Sequence, residues 1–142
     1  MFTKEESKRL REEFWISFGK SYPHRWLLYD TKIKGLALKF HFGIKNATVS
    51  MNIELSALEM RIELWKKLAS LKSILIDQYL PQAQFEDSFV LENQKEISTV
   101  YVEKINVSIH NKETWRETMV FLNGNMLRLE TFFNEYKEIF LS

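Results

Sequence analysis

The spacing of hydrophobic residues changes several times along the chain, and each change predicts a new element of secondary structure. Leu10, Phe14 and Phe18 recur every four residues. They follow Thr3-Lys4-Glu5-Glu6, in which a threonine and a glutamate three residues apart have the spacing of a capping box. This pattern predicts an amphipathic helix that ends near Gly19.

The next hydrophobic pattern has a period of two. It consists of two runs that are separated by Gly43-Ile44-Lys45-Asn46. The apolar members are Leu36, Leu38, Phe40, Phe42, Ala47, Val49, Met51, Ile53 and Leu55. Because successive side chains of a strand point to opposite faces, the pattern predicts a β-hairpin with one buried face. The residues expected on the other face are Lys39, His41, Ser50 and Asn52.

A helical period returns after the hairpin. Ser56-Ala57-Leu58-Glu59 has the spacing of a second capping box, and apolar residues then recur at helical intervals until Pro81. The stripe consists of Leu58, Ile62, Trp65, Leu68 or Ala69, and Leu75. It predicts one central helix that buries these residues.

Two further elements complete the pattern. The ranges 85–91 and 97–105 are rich in β-forming residues and predict a second hairpin. A stripe with regular 4-3-4-3 spacing then predicts a long helix, which Asn111 or Thr114 can cap. Its members are Trp115, Met119, Leu122, Met126, Leu129, Phe133, Tyr136 and Phe140. Gly124 costs this helix about 1 kcal/mol relative to alanine, so we expect a continuous helix that is weakened or kinked there.

The order of these elements predicts the fold class. Helix, hairpin, helix, hairpin and helix follow one another, as in an α+β domain with an antiparallel sheet. The apolar faces of the hairpins need covering, so we expect the helices to pack mainly on one face of the sheet.

Composition supports a single folded domain over residues 1–142. Of the 142 residues, 45% are hydrophobic and 14% aromatic, enough for a sizeable core without a metal or disulfide. The chain has no cysteine, which excludes disulfides, thiol catalysis and cysteine-ligated metal sites. Its charged amino terminus lacks the apolar segment of a signal peptide, so we expect a cytoplasmic protein.

Charge is distributed unevenly. Residues 20–45 carry six basic residues and one acidic residue, whereas residues 46–142 carry ten basic and fourteen acidic ones. The basic segment mixes cationic and aromatic side chains, as phosphate neutralisation and base stacking require. The candidate nucleic-acid-binding residues are Arg25, Lys32, Lys34, Lys39, Lys45 and Trp26. Such residues are also typical of a solvated surface, so both interpretations stay open.

The terminal stripe also has two interpretations. It can cover the chain's own sheet, or it can form a seam with a second copy of the chain. Val120, Phe121 and Phe132 widen the stripe, which favours the intramolecular core. If surface is left over for a homodimer, the candidate interface is Trp115, Met119, Leu122, Met126, Leu129 and Phe133.

The sequence shows no catalytic or cofactor motif. Its four glycines lie too far apart for a phosphate-binding loop. His24, His41 and His110 have no partner at metal-ligand spacing. Asp30-Thr31-Lys32 is the one Asp-x-Lys triplet of the basic segment, but it lacks the upstream acidic residue of a restriction-type nuclease. We therefore assign no catalytic, cofactor-binding or metal-binding residue and expect no cofactor.

Four stretches together resemble one bacterial family. They are Phe14-Trp15, the hairpin from Gly35 to Leu55 that ends in Ile53-Glu54-Leu55, Trp65-Lys66-Lys67-Leu68, and the aromatic-rich helix from Trp115 to Phe140. Over nearly the whole chain they are similar to the bacterial domain of unknown function 4268. In that family the domain often follows a part that resembles a restriction-like nuclease, which implies a setting in DNA metabolism or defence. No active site of the family maps onto a residue of this chain.

The leading hypothesis is an accessory interaction domain without catalysis of its own. It would bind a protein or act beside nucleic acid, through the basic hairpin and the exposed part of the last helix. The alternative is a divergent nuclease-like hydrolase, or a weak non-specific nucleic-acid binder. A nuclease would need carboxylates from different elements to converge beside a lysine, and Glu54, Glu92 and Glu103 are the carboxylates considered for that role. We expect no membrane partner.

Overall fold

The computed structural model describes residues 1–142 and contains a four-stranded antiparallel sheet and four α-helices. The elements are α1 (Lys4–Ser21), β1 (Leu36–Phe42), β2 (Asn46–Ile53), α2 (Leu58–Ala69), α3 (Lys72–Gln78), β3 (Gln84–Val90), β4 (Glu96–Ile105) and α4 (Trp115–Leu141), with a 3₁₀ turn at Lys112–Thr114. The strand order is β1-β2-β4-β3, so two hairpins join through β2 and β4, and β1 and β3 form the edges. The predicted α+β class with an antiparallel sheet is confirmed.

The first helix begins where the sequence predicts. The Thr3 Oγ1 atom accepts a hydrogen bond from the Glu6 amide at 3.1 Å, and Glu6 Oε1 accepts one from the Thr3 amide at 3.3 Å. This capping box satisfies amide groups that have no partner within the helix. The buried residues of α1 are the predicted Leu10, Phe14 and Phe18. The helix continues slightly past Gly19 and ends at Ser21.

The first hairpin has the predicted faces. The cross-strand partners are Leu36 and Ile53, Leu38 and Met51, and Phe40 and Val49. Directly opposed residues share a face, so these apolar side chains lie together, and Lys39 lies with Ser50 on the other face. Gly35 precedes β1 with a φ of +82°, and a Cβ atom there would lie 2.4 Å from Leu55 Cγ. Only glycine fits this position without strain.

The central helix is not continuous, so the prediction of one helix is wrong. α2 ends at Ala69 and α3 begins at Lys72. At the break the Ser70 hydroxyl donates a hydrogen bond to the Lys67 carbonyl at 2.6 Å, a local bond that competes with the helical pattern. The predicted capping box is also wrong, because the residue before α2 is Ala57 and no side chain caps the helix.

The predicted stripe of the central helix is buried only in part: Leu68 and Leu75 are buried as predicted. Arg61 and Leu64 are buried, whereas Leu58 is 55% exposed and Ile62 is 42% exposed. Both sets satisfy helical spacing because they occupy neighbouring flanks of one helix. Arg61 looks polar in the sequence but is buried, since it donates hydrogen bonds to the carbonyl oxygen (3.0 Å) and carboxylate (2.5 Å) of Glu96.

The second hairpin matches the predicted ranges and contains an irregularity. The pairing of β3 with β4 shifts between Glu86 and Phe89, which is a β-bulge. Within the bulge the Ser98 hydroxyl donates a hydrogen bond to the Asp87 carbonyl at 2.6 Å. A bulge twists the strand and interrupts its pairing, so β3 is less regular than β1.

The last helix carries the predicted stripe. All of its eight members are buried or half-buried, and the helix runs continuously through Gly124. A Cβ atom at Gly124 would meet only the Arg128 guanidinium, at 3.7 Å, so nothing there requires glycine. The Asn111 side chain accepts a hydrogen bond from the Glu113 amide at 3.1 Å and caps the 3₁₀ turn before the helix.

The core lies on one face of the sheet. Buried residues from all four helices form a single cluster with the apolar face of β1, β2 and β4. The opposite face, which we call the open face, carries Lys39, Ser50, Asn52, Thr99 and Tyr101. No helix combines the length and the apolar character that a bilayer crossing requires.

Candidate functional site

A cluster of charged side chains lies on the open face. Glu54 Oε2 is 2.6 Å from Lys39 Nζ on β1, and Glu54 Oε1 is 3.5 Å from Lys95 Nζ in the turn between β3 and β4. Lys39 Nζ also lies 5.3 Å from the centre of the Tyr29 ring. Glu54 therefore links β1 to the turn between β3 and β4 across the open face.

These contacts determine the protonation of the cluster. Burial acts to raise the pKa of Glu54, but the hydrogen bond and charge of Lys39, with a further contribution from Lys95, lower it below its ordinary value of 4.5. Burial acts to lower the pKa of Lys39, and Glu54 outweighs that effect and raises it. Both groups are charged near neutral pH. A carboxylate with a lowered pKa is a poor proton acceptor, so the cluster is suited to fixing the open face and not to acid–base chemistry.

Polar side chains continue towards β3. The Thr99 hydroxyl donates a buried hydrogen bond to the Asn52 side chain at 2.6 Å. The Tyr101 hydroxyl lies 3.3 Å from a Glu86 carboxylate oxygen, and the Phe89 ring meets the Tyr101 ring at 6.4 Å. Burial raises the pKa of Tyr101, and the negative charge of Glu86 raises it further. Glu86 therefore places a negative charge at the β3 side of the open face.

The outer edge of β1 is covered at its amino-terminal end. The loop that precedes β1 runs beside it, and the Leu38 amide donates a hydrogen bond to the Leu28 carbonyl at 3.0 Å. The Thr31 hydroxyl is also bonded to this edge, donating to the Leu36 carbonyl at 2.8 Å. Backbone groups that a free edge would expose are thus satisfied within the chain.

The covering loop is fastened to α4 by a buried carboxylate. Glu130 Oε2 accepts a hydrogen bond from the Leu27 amide at 2.7 Å, and its Oε1 lies 2.9 Å from His24 Nε2. The Glu130 side chain is 9% exposed. A buried carboxylate needs such partners, so the loop and Glu130 stabilise each other.

The outer edge of β3 is not covered. The Leu91 amide donates a hydrogen bond to the Lys95 carbonyl at 2.8 Å, so it faces β4. Successive amides of a strand point in opposite directions, and the Val90 amide therefore points outward into solvent. Val90 is 56% exposed, and most other residues of β3 are exposed as well.

The helix α2 packs beneath β2 and β4, and one of its flanks reaches β3. On one flank Lys67 bonds to the carboxyl end of α4. The opposite flank faces β3, where the Trp65 ring lies 5.9 Å from the Phe85 ring. Helical geometry places Leu58 and Ile62 on the Trp65 flank, and both are exposed. We define the open-edge surface as the outer edge of β3 together with Leu58, Ile62, Trp65, Phe85 and Val90.

Sequence reasoning missed the open-edge surface although its signal was present. The apolar stripe through Leu58, Ile62 and Trp65 was assigned to the core. A second apolar set on the same helix, which includes Leu64, already accounts for the buried side. Two apolar flanks on one short helix are the signal that could have indicated an exposed apolar surface.

The structure brings part of the basic segment together. Lys32 and Lys34 line a shallow pocket of ≈ 400 Å³ with Tyr29, which is 73% exposed. Lys32 Nζ is 2.7 Å from Asp30 Oδ1, and this bond and charge lower the pKa of Asp30, with a further contribution from the charge of Arg25. Asp30, Lys32 and Lys34 therefore line the same pocket, and Arg25 acts on the Asp30 carboxylate through its charge.

Other candidates from the basic segment lie elsewhere. Lys39 is paired with Glu54, and Lys45 lies in the turn at the far end of the β1–β2 hairpin from Lys34. Trp26 is half-buried, and its ring packs against those of Phe18 and Phe40. The six residues do not form one continuous basic surface.

The structure places the candidate dimer residues in the chain's own core. Trp115, Leu122, Met126, Leu129 and Phe133 are all buried, and Met119 is half-buried. The apolar residues that α4 leaves exposed are Val120, Leu127, Ile139 and Leu141. Dimer formation through such leftover surface stays a prediction.

The three histidines lie apart from one another. His24 contacts Glu130, and His41 is exposed on the open face. His110 Nε2 lies 2.7 Å from the Ser7 hydroxyl. No group of three or more histidine, aspartate or glutamate side chains is arranged to hold a metal ion.

The candidate carboxylates do not converge. Glu54 and Glu103 lie towards opposite ends of β2, and Glu103 accepts a hydrogen bond of 2.5 Å from the Asn46 side chain. Glu92 is exposed in the turn between β3 and β4. In Asp30-Thr31-Lys32, the aspartate pairs with the lysine at the surface. The arrangement that a nuclease would need is not formed by these residues.

The fold defines a two-layer α+β domain with helices on one side of a four-stranded antiparallel sheet. The chain belongs to the family described as Domain of unknown function (DUF4268), whose sequence profile matches residues 10–137. This match extends from α1 to the last turns of α4, and it confirms the resemblance in the sequence. Comparison with curated proteins gave no match, and comparison with solved structures gave none either.

Proposed function

We propose that the chain is a protein-binding module and that the open-edge surface is its binding site. The observation that carries this proposal is the contrast between two outward-pointing amides. The Leu38 amide on β1 has a carbonyl partner within the chain, whereas the Val90 amide on β3 points into solvent. An uncovered edge offers backbone donors and acceptors to an additional strand.

The flank of α2 adds apolar contacts to this edge. A strand added to β3 would lie roughly 4.8 Å beyond it and so above the flank that carries Leu58 and Ile62. Removing apolar surface from water contributes roughly 25 cal/mol per Å², and Val90 belongs to the same exposed region. Hydrogen bonds along the edge and apolar burial over the helix would act together in binding a partner strand.

The proposed site differs from the surface expected from the sequence. That expectation combined the basic hairpin with the exposed part of the last helix, whereas the open-edge surface combines β3 with α2. The family resemblance implies a setting in DNA metabolism or defence. The partner would then be a protein that acts in that setting.

The proposal can be tested by capture from native lysate with matched variants. Val90→Pro removes the outward amide without removing a hydrogen bond within the sheet, and Ile62→Ser removes apolar surface from α2. Val120→Ser is the control, because Val120 on α4 is 57% exposed and Val90 is 56% exposed. All samples are treated with nuclease. We then expect the wild type and Val120→Ser to retain partner proteins, and Val90→Pro and Ile62→Ser to lose them. Partners that stay bound to Val90→Pro would contradict the proposal.

A second candidate function rests on the pocket beside β1. Tyr29 offers an exposed ring for base stacking, and Lys32 and Lys34 can neutralise phosphates. We propose this pocket as the site of weak, non-specific nucleic-acid binding if such binding occurs. The neighbouring Asp30 carboxylate reduces the positive charge there, which makes this the weaker of the two proposals.

Fluorescence anisotropy with labelled oligonucleotides tests the second candidate. Each phosphate contact contributes about 0.7 to 0.9 to the log–log salt slope, so three contacts predict a slope of about −2 to −3. Lys34→Glu should weaken binding and flatten the slope, whereas Lys137→Glu on the exposed side of α4 should not. Equal effects of the two substitutions would remove the pocket as the binding site.

A further inference from the structure

The chemistry of the open-edge surface restricts which strand it can bind. Alternate side chains of an added strand would point to the two sides of the sheet. On the core side they would meet α2, and on the other side they would meet the open face. The two sides of the site can therefore be examined separately.

The α2 side of the site is apolar. Leu58 and Ile62 are exposed there, and Trp65 and Phe85 are half-buried beside them. The charged groups beside them are the Arg61–Glu96 ion pair, whose two charges compensate each other, and Lys72, whose Nζ lies 5.2 Å from the centre of the Phe85 ring. Residues of the partner strand that point to this side should be apolar.

The open-face side of the site is acidic. Glu86 lies opposite the open-face residue Thr99, Asp87 follows it within the bulge, and neither carboxylate forms an ion pair within the chain. Residues 84–96 carry four acidic residues and one basic residue; of these, Glu96 is paired with Arg61 and Lys95 with Glu54, which leaves three carboxylates without an ion pair. The pKa of Tyr101 is raised by burial and then by Glu86, which agrees with an uncompensated negative charge at this place. Residues of the partner strand that point to this side should be basic.

The same charges disfavour a second copy of this chain as the partner. Antiparallel pairing of two β3 strands across a two-fold axis at their centre would place Glu86 and Asp87 of one copy beside those of the other. Like charges that face each other across a strand pair are destabilising. The bulge between Glu86 and Phe89 further limits pairing of β3 with itself.

We infer that the partner of the open-edge surface is an extended segment of a different protein in which apolar residues alternate with lysine or arginine. This inference rests on the proposed function and adds the chemistry of the partner to it. Backbone hydrogen bonds would give the segment its affinity, and the two faces of the segment would give it specificity. The acidic β3 strand keeps copies of the chain apart and selects a basic partner.

Short synthetic peptides can serve as probes. One alternates valine with lysine and a second alternates valine with glutamate; both are labelled and kept at concentrations at which they are monomeric. We expect the lysine peptide to bind at least about 10-fold more tightly than the glutamate peptide at low salt. Replacing both carboxylates in the Glu86→Gln, Asp87→Asn variant should weaken the lysine peptide several-fold and leave the glutamate peptide unaffected or tighter. Val90→Pro should abolish binding, and Val120→Ser should not.

The outcomes separate the inference from the proposed function. If both peptides bind equally and Val90→Pro abolishes their binding, the edge is a docking site and the inference about charge is wrong. If neither peptide binds at about 1 mM, or if Val90→Pro binds like the wild type, the docking site itself is wrong. If light scattering shows a dimer that Val90→Pro dissociates, the occupant is a second copy, and the inferred heterologous partner is overturned.

Discussion

The two edge strands of the sheet are equally long, but they differ in how far the rest of the chain covers them. β1 and β3 each have seven residues. Most of β1 is buried or half-buried, and its edge is bonded to the preceding loop. β3 is mostly exposed, contains a bulge and carries two unpaired carboxylates. One sheet thus has one edge that the chain covers at its amino-terminal end and one that is left open.

This difference shows two ways in which a protein manages the edge of a sheet. Covering β1 requires a loop of its own and the buried carboxylate of Glu130 to hold that loop. Charge and a bulge on β3 prevent uncontrolled pairing without closing the edge. The second way leaves the backbone groups of an edge free for a partner, so under the proposed function β1 is a structural edge and β3 is the binding edge.

Removal of the carboxylate that fastens the loop should have the largest effect. In Glu130→Ala the Leu27 amide loses its buried acceptor, and we expect the free energy of unfolding to fall by about 3 kcal/mol. Chemical denaturation measures this loss. Glu135→Ala, an exposed site on the same helix, should change stability by no more than about 0.5 kcal/mol. Similar stabilities for the two variants would show that the loop is not held by Glu130.

Strain at the start of β1 should have the next largest effect. Gly35→Ala places a methyl group close to Leu55 at a positive φ, and we expect it to destabilise the chain by about 2 kcal/mol. Gly124→Ala is the matched control in α4, where we expect a gain of up to about 1 kcal/mol. Thermal unfolding distinguishes the expected loss of stability in Gly35→Ala from the expected gain in Gly124→Ala. An unchanged stability of Gly35→Ala would contradict the positive φ at residue 35 and its close approach to Leu55.

The stability that the Lys39–Glu54–Lys95 cluster contributes should depend on pH. The folded state lowers the pKa of Glu54, so its contribution to stability is complete above the ordinary value of 4.5 and is lost as the pH falls through the lowered value. Glu54→Gln should remove this part of the pH dependence, an effect of about 1 kcal/mol or less because the group is partly exposed. Denaturation of both proteins between neutral and acidic pH measures it. Parallel pH profiles would exclude a role for Glu54.

Substitutions on the open edge should have the smallest effect on stability. Glu86→Gln together with Asp87→Asn breaks no ion pair, and we expect a change within about 0.5 kcal/mol. The same denaturation experiment checks this. A large loss would mean that these carboxylates stabilise the fold and are not kept for a partner.

Much of the fold could be predicted because its signals are local. The hairpin from Leu36 to Ile53 follows from alternation, and the long helix from Trp115 follows from its stripe. Each pattern depends on neighbours in the sequence. The wrong positions of the α2 stripe have a different origin, because the buried Arg61 is paired with Glu96, a partner 35 positions away. A sequence pattern counts arginine as a surface residue and misassigns the flank.

The candidate site could be predicted only in part. The sequence singled out basic residues such as Lys32 and Lys39, but their pairing with Asp30 and Glu54 depends on how the loop and strands meet. The difference between the two edges was also hidden, because the covering of β1 requires Glu130, which lies 103 positions from Leu27. Strand order decides which strand becomes an edge, and no local pattern specifies that order.

Amide hydrogen exchange at Leu38 and Val90 tests the central claim most directly. Each amide lies on an edge strand and points away from the neighbouring strand. Only the Leu38 amide has a carbonyl partner, at 3.0 Å. In the isolated chain we expect Leu38 to be protected and Val90 to exchange at nearly the rate of an unstructured amide. Addition of the lysine–valine peptide should protect Val90 and leave Leu38 unchanged. Equal protection of the two amides in the isolated chain, or a Val90 amide that stays unprotected when the peptide is bound, would contradict the account.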